Sequence, residues 1–331
     1  MLIDNGTICT SSQDYQLISS INWTASQICG LTASTITIIL SIFSAKLIIQ
    51  KSIFPSSTII LLLFNIFYAN LHQVSYGIIA ITFIIRSIQE SDPCDMYISE
   101  TECTLLSHLL FTGIGGMIYI QTGLMIERVL ATFMPSYSVS CSRIVGVTLS
   151  VIALICSTLT FTMITYGNAS DHTTLTCMAF PKRSAHRANV FLFVCVILTV
   201  FNLLTSLSLM YYNKYLEYKT RYKVRERFKK RETIDSTQTI CFLALSQFIT
   251  MFIYSFGVLV IRMLRDAYSI LIIGNFTIWV YTIPYAALLV PLLLICRIRS
   301  LRANRIQAIK DITQQKITQE GHILEINRMW N

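Results

Sequence analysis

The sequence predicts an all-α fold, a polytopic membrane protein with a bundle of seven transmembrane helices. Of its 331 residues, 53% are hydrophobic and 13% are charged, and the mean hydropathy is +0.59. An average soluble domain is about 25% charged, so a soluble core could not absorb this much apolar sequence. Seven apolar runs, each longer than the ~20 residues that a helix needs to cross a bilayer, give the helix count.

The seven runs follow one another along the chain without an internal repeat. The first ends before Lys51, and the third contains no charged residue between Cys103 and Glu127. Pro284 and Pro291 predict a kink in the seventh run, because proline removes a backbone hydrogen bond. The runs cover residues 26–49, 57–85, 103–132, 144–166, 189–213, 237–261 and 270–295.

The distribution of lysine and arginine predicts that the N terminus lies outside and the C terminus lies in the cytoplasm. In this orientation 20 of the 26 basic residues lie on the inner side, as the positive-inside rule requires. The net charge of +9 therefore follows the membrane and does not indicate nucleic-acid binding. Residues 1–20 lack the apolar core of a signal peptide, so we expect the first span to direct insertion. The predicted parts are an extracellular segment (1–25), the bundle (26–296), and a cytoplasmic amphipathic helix and tail (297–331).

The outer segments carry two glycosylation sequons and four cysteines. Asn5 and Asn22 are the candidate glycan acceptors, and Asn5 is the better one because Asn22 lies almost at the membrane. We expect one disulfide to tie the loop after the fourth helix onto the third helix, and a second to form nearby, although four cysteines allow three pairings. The expected pairs are Cys103 with Cys177 and Cys9 with Cys94. No cysteine or histidine cluster has zinc-ligand spacing, so no metal or cofactor is expected.

The inner side offers two candidate functional features. Glu127 and Arg128 end the third helix, where they are either ordinary interfacial charges or a functional pair. The loop from 212 to 233 is mostly charged, and is either a pair of solvated helix extensions or a docking surface for a cytoplasmic partner.

Polar residues inside the membrane are uncharged. Interhelical hydrogen bonds, worth about 0.6–2 kcal/mol each, explain most of them without a ligand, and we select His72, Gln73 and His108 as the candidate ligand-binding residues. The absence of acidic and basic residues between the helix ends disfavours a proton relay or a voltage sensor. Neither HExxH nor GxSxG nor a phosphate-binding glycine loop is present, so an enzyme is not predicted. A transporter or channel and a non-signalling structural membrane protein stay as alternatives.

Four stretches of the chain resemble the nematode serpentine receptors of class alpha, a family of G-protein-coupled receptors. They are ANLHQVSYGI (69–78), DPC and ETEC within 92–103, QTGLMIERVLATF (121–133) and RYKVRERF (221–228). The resemblance implies a chemosensory receptor that binds a small-molecule cue and activates a heterotrimeric G protein. It also implies a multi-pass protein of the plasma or ciliary membrane of sensory neurons.

The resemblance gives the third helix a signalling role. Glu127 and Arg128 stand where rhodopsin-like receptors carry an acid, an arginine and a tyrosine, with Val129 here in place of the tyrosine. It implies that the acid pairs with the arginine at rest, and that the freed arginine meets the G protein on activation.

Overall fold

The computed structural model describes residues 2–4, 7–9, 16–17, 20–51, 54–89, 98–134, 137, 139–166, 173–174, 177–178, 184–219, 224–264 and 270–330. Within these residues the chain forms helices almost throughout, with two short strand pairs. The helices are α1 (Ile21–Lys51), α2 (Ser56–Gln89), α3 (Glu100–Phe133), α4 (Val139–Thr165), α5 (Ala185–Lys219), α6 (Val224–Leu264), α7 (Ile270–Val280) and α8 (Ile283–Trp330). The strands are β1 (Leu2–Asp4), β2 (Thr7–Cys9), β3 (Ile98–Ser99) and β4 (Thr173–Thr174).

Seven helical segments are long and apolar enough to cross a membrane, which confirms the predicted fold class. The seventh segment consists of α7 and α8, which are separated at Tyr281 and Thr282. The break lies just before Pro284, which falls in the first turn of α8, where a residue without a backbone N–H is tolerated. Pro291 lies inside α8, which continues past it.

The helices extend beyond the predicted apolar runs. The first helix begins at Ile21, α6 begins at Val224, and α8 continues without a break through residue 296 to Trp330. Apolar runs mark only the part of a helix that needs a hydrophobic environment, so polar turns at the ends go undetected. The basic segment between the fifth and sixth spans lies largely in such extensions, up to Lys219 and again from Val224. That residues 297–331 lie along the inner membrane face stays a prediction.

Helix α3 is the centre of the bundle. In its apolar window 78% of the residues are buried, against at most 50% in any other span. Glycines make this close packing possible, as is common between helices in membranes. A Cβ atom at Gly113 would lie 2.8 Å from the backbone nitrogen of His72, and one at Gly116 would overlap the Tyr68 ring.

Large apolar side chains cover the outside of the bundle. Ile42, Met163 and Phe193 are 67%, 70% and 66% exposed, and each belongs to a different helix. A soluble protein rarely exposes so much contiguous apolar surface. The hydrocarbon of a bilayer accounts for it.

A disulfide and a strand pair fix one end of the bundle, which we call the disulfide end. Cys103 and Cys177 are bonded, with their Cα atoms 5.0 Å apart, which confirms the expected pairing. Strands β3 and β4 pair antiparallel beside them, and near the N terminus β1 pairs antiparallel with β2. Cys94 lies outside the described residues, so a Cys9–Cys94 bond stays a prediction. We call the opposite end the Arg128 end.

Candidate functional site

A cavity of about 340 Å³ lies between the helices near the disulfide end. Helices α1, α2 and α5–α8 line it, together with Met178, which follows the disulfide-bonded Cys177. None of the described residues that line it carries a charge. Six of the lining residues have aromatic side chains: Trp23, Tyr76, Tyr254, Trp279, Tyr281 and Tyr285.

The break between α7 and α8 forms the part of the cavity wall around Tyr281, which we call the floor of the cavity. It leaves Tyr281 outside both helices, with its ring stacked at 5.9 Å from Tyr76 and edge-on at 5.6 Å from Tyr254. The next residue, Thr282, donates a hydrogen bond of 2.7 Å to the backbone oxygen of Thr250 on α6. A position without regular helical geometry thus brings aromatic rings from three segments together.

His72 lies directly behind this floor. Its side chain is buried, and its Nε2 atom is 3.0 Å from the Tyr281 hydroxyl. Its ring also stacks on Tyr76 at 6.2 Å, whereas Nδ1 has no hydrogen-bond partner among the described residues. His72 therefore contacts two residues that line the cavity without lining it itself, so any effect on a ligand would pass through the two tyrosines.

Gln73 connects three helices. Its Nε2 atom donates to the Pro284 backbone oxygen at 2.6 Å and to Thr37 Oγ1 at 3.2 Å, and its Oε1 atom accepts from Ser34 Oγ at 2.7 Å. These bonds hold α2 against α1 and the start of α8. The geometry gives Gln73 a positioning role, with its amide directed between helices.

His108 lies on the side of α3 that faces α4. Its ring packs edge-on against Phe161 of α4 at 5.3 Å, and it is not among the residues that line the cavity. Its predicted contact with a ligand stays a prediction that the cavity does not support.

Sequence reasoning missed Gln27 and Asn189, the two primary amides of the lining. Both lie within one or two turns of a helix start, where polar residues are ordinary, so their positions gave no signal. Only the assembled bundle shows that both reach the same cavity. The amide of Gln27 within the first predicted span was the available hint.

Asn22 lies inside α1 with its amide engaged at both atoms. Its Nδ2 donates to Asn275 Oδ1 at 2.9 Å, and its Oδ1 accepts from Trp279 Nε1 at 3.0 Å. A glycan on Nδ2 would have to displace the bond to Asn275, so this geometry supports a structural role for Asn22 beside Trp279, which lines the cavity. Asn5 lies outside the described residues, and both glycosylation sites stay predictions.

At the Arg128 end the acid and the arginine are buried rather than exposed. Glu127 is 0% and Arg128 is 1% exposed. The guanidinium donates from Nε and Nη2 to the two carboxylate oxygens at 2.5 Å each, and Nη2 also donates to Thr58 Oγ1 at 2.7 Å. Such burial is not typical of ordinary interfacial charge, and a functional role for the pair stays a prediction.

Further hydroxyl groups surround the carboxylate. Ser57 donates to Glu127 Oε1 at 2.5 Å, Tyr137 donates to the same oxygen at 3.1 Å, and Ser142 of α4 donates to Ser57 Oγ at 2.7 Å. Burial raises the pKa of Tyr137, and the nearby charge of Glu127 raises it further, so Tyr137 keeps its proton and donates. We call this set the Glu127 network: Ser57, Thr58, Glu127, Arg128, Tyr137 and Ser142.

Seven long apolar helical segments packed around a central helix define the class as a seven-transmembrane-helix protein. The chain matches the family model of the "Serpentine type 7TM GPCR chemoreceptor Sra" over residues 4–330, and it belongs to that family.

Curated relatives from Caenorhabditis elegans match over almost the whole chain. Serpentine receptor class alpha-6 is 43% identical over 323 residues, covering 97% of this chain and 98% of the relative. Serpentine receptor class alpha-1 is 43% identical (94% and 95% covered), and class alpha-9 is 41% identical (98% of each). These matches confirm the resemblance inferred from the motifs. They favour a receptor over a transporter or channel.

Proposed function

We propose that the chain binds a small-molecule cue in the cavity and activates a heterotrimeric G protein at the Arg128 end. In this proposal the N terminus is outside, and the receptor acts in the plasma or ciliary membrane of sensory neurons. The observation that carries the proposal is the burial of Arg128 within the Glu127 network. An arginine held in this way is withheld from any cytoplasmic partner until the packing changes.

The energetics of the pair support a two-state switch. Removing one partner of a buried ion pair costs about 3–5 kcal/mol, because the other charge is left unpaired. The closed packing is therefore favoured while Glu127 is available. Arg128 Nη1 is buried without a partner among the described residues, so one of its donors is still to be satisfied, as a G protein could do.

The cavity and the Glu127 network can communicate through α2, which carries Tyr76 in the cavity lining and Ser57 and Thr58 in the network. Thr58 and Tyr76 are 18 residues apart on that helix, about 27 Å at 1.5 Å per residue. A cue shifts the equilibrium only if it binds the open packing more tightly than the closed one. Moving the population from 1:99 to 99:1 needs about 10⁴-fold preference.

Substitutions at the pair test the proposal. Glu127→Gln removes the negative charge at nearly constant size, so we expect raised ligand-independent signalling. Arg128→Ala is expected to abolish signalling while surface expression persists. Second-messenger levels, basal and stimulated, are measured in cells and normalised to surface protein, with a calcium-response screen supplying an active cue.

Arg143→Ala is the matched control, because Arg143 is an exposed arginine at the same end of the bundle. It should signal like the unmodified receptor. Normal signalling by Arg128→Ala at equal surface expression would contradict the proposed role.

A further inference from the structure

We infer that the cavity selects a small uncharged aromatic molecule that exchanges hydrogen bonds with the Gln27 amide. The inference rests on the proposed function, because it names the class of cue for the same cavity. Its volume of about 340 Å³ lies at the lower end of the range of ligand pockets, about 300–1,000 Å³. A cue of this size is a small molecule rather than a peptide.

The lining decides the charge of the ligand. None of the described residues around the cavity is acidic or basic, and an ion that enters such a site loses its hydration without gaining a counter-ion. Aromatic faces attract cations, but this attraction recovers only part of the loss. A neutral ligand avoids the cost altogether.

The aromatic rings of the lining determine the shape of the ligand. Tyr76 and Tyr281 are stacked nearly parallel, with an interplanar angle of 18°, and Tyr254 meets Tyr281 edge-on at 82°. Both arrangements are favourable for aromatic rings, and Trp23, Trp279 and Tyr285 present further ring surface to the same space. A flat aromatic ligand can make these contacts with several rings at once.

Gln27 supplies the polar contact. Its side chain is only 5% exposed, yet its one hydrogen bond among the described residues is a long one of 3.5 Å from the Tyr76 hydroxyl to Oε1. The amide therefore has both donor and acceptor capacity left. A buried polar group of this kind costs free energy until it is paired, and a ligand bearing an amide, a carbonyl or a ring nitrogen would pair it.

The tryptophans allow binding to be measured without any signalling partner. The chain has three tryptophans, and two of them, Trp23 and Trp279, line the cavity. Trp330→Phe removes the third, so that tryptophan emission of the purified receptor in lipid nanodiscs reports on the cavity. The probes share one size: benzamide (neutral, aromatic), benzoate (anion), benzylammonium (cation) and cyclohexanecarboxamide (neutral, not aromatic).

We expect benzamide to bind at least about tenfold more tightly than benzoate or benzylammonium, because both ions lose hydration. Cyclohexanecarboxamide should bind about two- to tenfold more weakly than benzamide, because it lacks the aromatic faces. Gln27→Leu should weaken benzamide binding by about threefold to tenfold. Asn70→Leu is the matched control, since Asn70 lies on α2 outside the lining and its Nδ2 bonds within its own helix.

Four results would overturn the inference: no benzamide binding, equal or tighter binding of either ion, equal or tighter binding of cyclohexanecarboxamide, or unchanged benzamide affinity in Gln27→Leu. Thermal unfolding of each variant without ligand confirms that it is folded. The outcome is separable from the proposed function. If signalling depends on Arg128 but the cavity prefers ions, only the inferred ligand class is refuted. If the cavity prefers benzamide but the receptor never signals, only the proposed signalling function is refuted.

Discussion

The carboxylate of Glu127 shows how much depends on one residue. It accepts hydrogen bonds from Ser57, Thr58, Tyr137 and twice from Arg128. Hydrogen bonds to charged groups are worth about 1.5–3 kcal/mol each, so the donors from α2 and from the α3–α4 connection stabilise the closed packing along with the ion pair. The proposed switch is therefore a network across α2, α3, α4 and the α3–α4 connection rather than two adjacent side chains.

Tyr137→Phe tests this interpretation of the Glu127 network. The change removes the hydroxyl that donates to Glu127 at 3.1 Å and leaves the ring in place. Losing one such bond should destabilise the closed packing by about 1–2 kcal/mol. Basal signalling should therefore rise, though less than in Glu127→Gln. Basal second messenger per surface receptor is the measurement.

The matched control for this change is Tyr212→Phe. Tyr212 is at the same end of the bundle, 41% exposed, and contacts the Phe133 ring at 5.3 Å. Its variant should keep the basal level of the unmodified receptor. If Tyr137→Phe and Tyr212→Phe behave alike, the hydroxyl does not hold the closed state.

At this scale the sequence predicted the central pair but not its surroundings. Glu127 and Arg128 could be selected because they are charges at the end of a long uncharged helix. The hydroxyl donors could not, because serine and threonine are common at helix starts, and their contact with Glu127 spans about 70 residues of sequence. His72 and Gln73 were selected for polarity, and the structure shows that one supports the cavity floor and the other connects helices.

At the scale of secondary-structure elements, the close approach of two helices determines where a glycine can be replaced by a larger residue. Gly113 and Gly115 lie two residues apart on α3 and face different neighbours. A Cβ at Gly113 would lie 2.8 Å from the His72 backbone, whereas at Gly115 the nearest atom would be 3.5 Å away on the Tyr119 side chain. The two positions are thus a matched pair.

Gly113→Ala should destabilise the receptor, because the added methyl group must push α2 away from α3 at the level of the cavity floor. Overpacking of this kind costs about 1–3 kcal/mol. Gly115→Ala should be neutral or stabilising by up to about 1 kcal/mol, since alanine favours the helix more than glycine. Thermal unfolding in nanodiscs compares them, and equal melting temperatures would contradict the assigned helix contact.

The seventh span illustrates what proline does and does not reveal. The sequence predicted a kink from Pro284, and the structure has a break just before it. The direction in which the break turns Tyr281 could not be predicted, because it depends on bonds to partners far along the chain: Tyr281 to His72, Gln73 to Pro284, and Thr282 to Thr250. The cavity floor is therefore a tertiary property.

At the scale of the whole molecule, fold class was the most predictable feature. Hydropathy is summed over windows of 20 or more residues, so errors at single positions cancel, and all seven spans were found. The lining of a cavity depends on single residues, so no such averaging helps to predict it. Its lining comes from six helices and one loop, and no sequence window contains more than a small part of it.

The disulfide should restrain the whole disulfide end. It closes a loop of 74 residues, which in the chain-entropy model corresponds to about 4.4 kcal/mol. The double variant Cys103→Ala with Cys177→Ala should therefore unfold at a lower temperature, and mass spectrometry of a non-reduced digest should find the linked peptides in the unmodified protein. Cys156→Ala, at an exposed free cysteine of α4, should unfold as the unmodified protein does. Free alkylation of both Cys103 and Cys177 in native protein would contradict the bond.

Orientation is the property of the whole molecule on which the proposed function depends. Because 20 of the 26 lysines and arginines fall in the sequence segments assigned to the same side as Arg128, that side should face the cytoplasm. An epitope tag after Asn331 should then bind antibody only in permeabilised cells, and a tag before Asp4 should bind it in intact cells. A receptor that carries both tags provides its own control, since each tag reports on one side of the same molecule. The reverse pattern would place the Glu127 network outside the cell, where no G protein could reach it, and would refute both the topology and the switch.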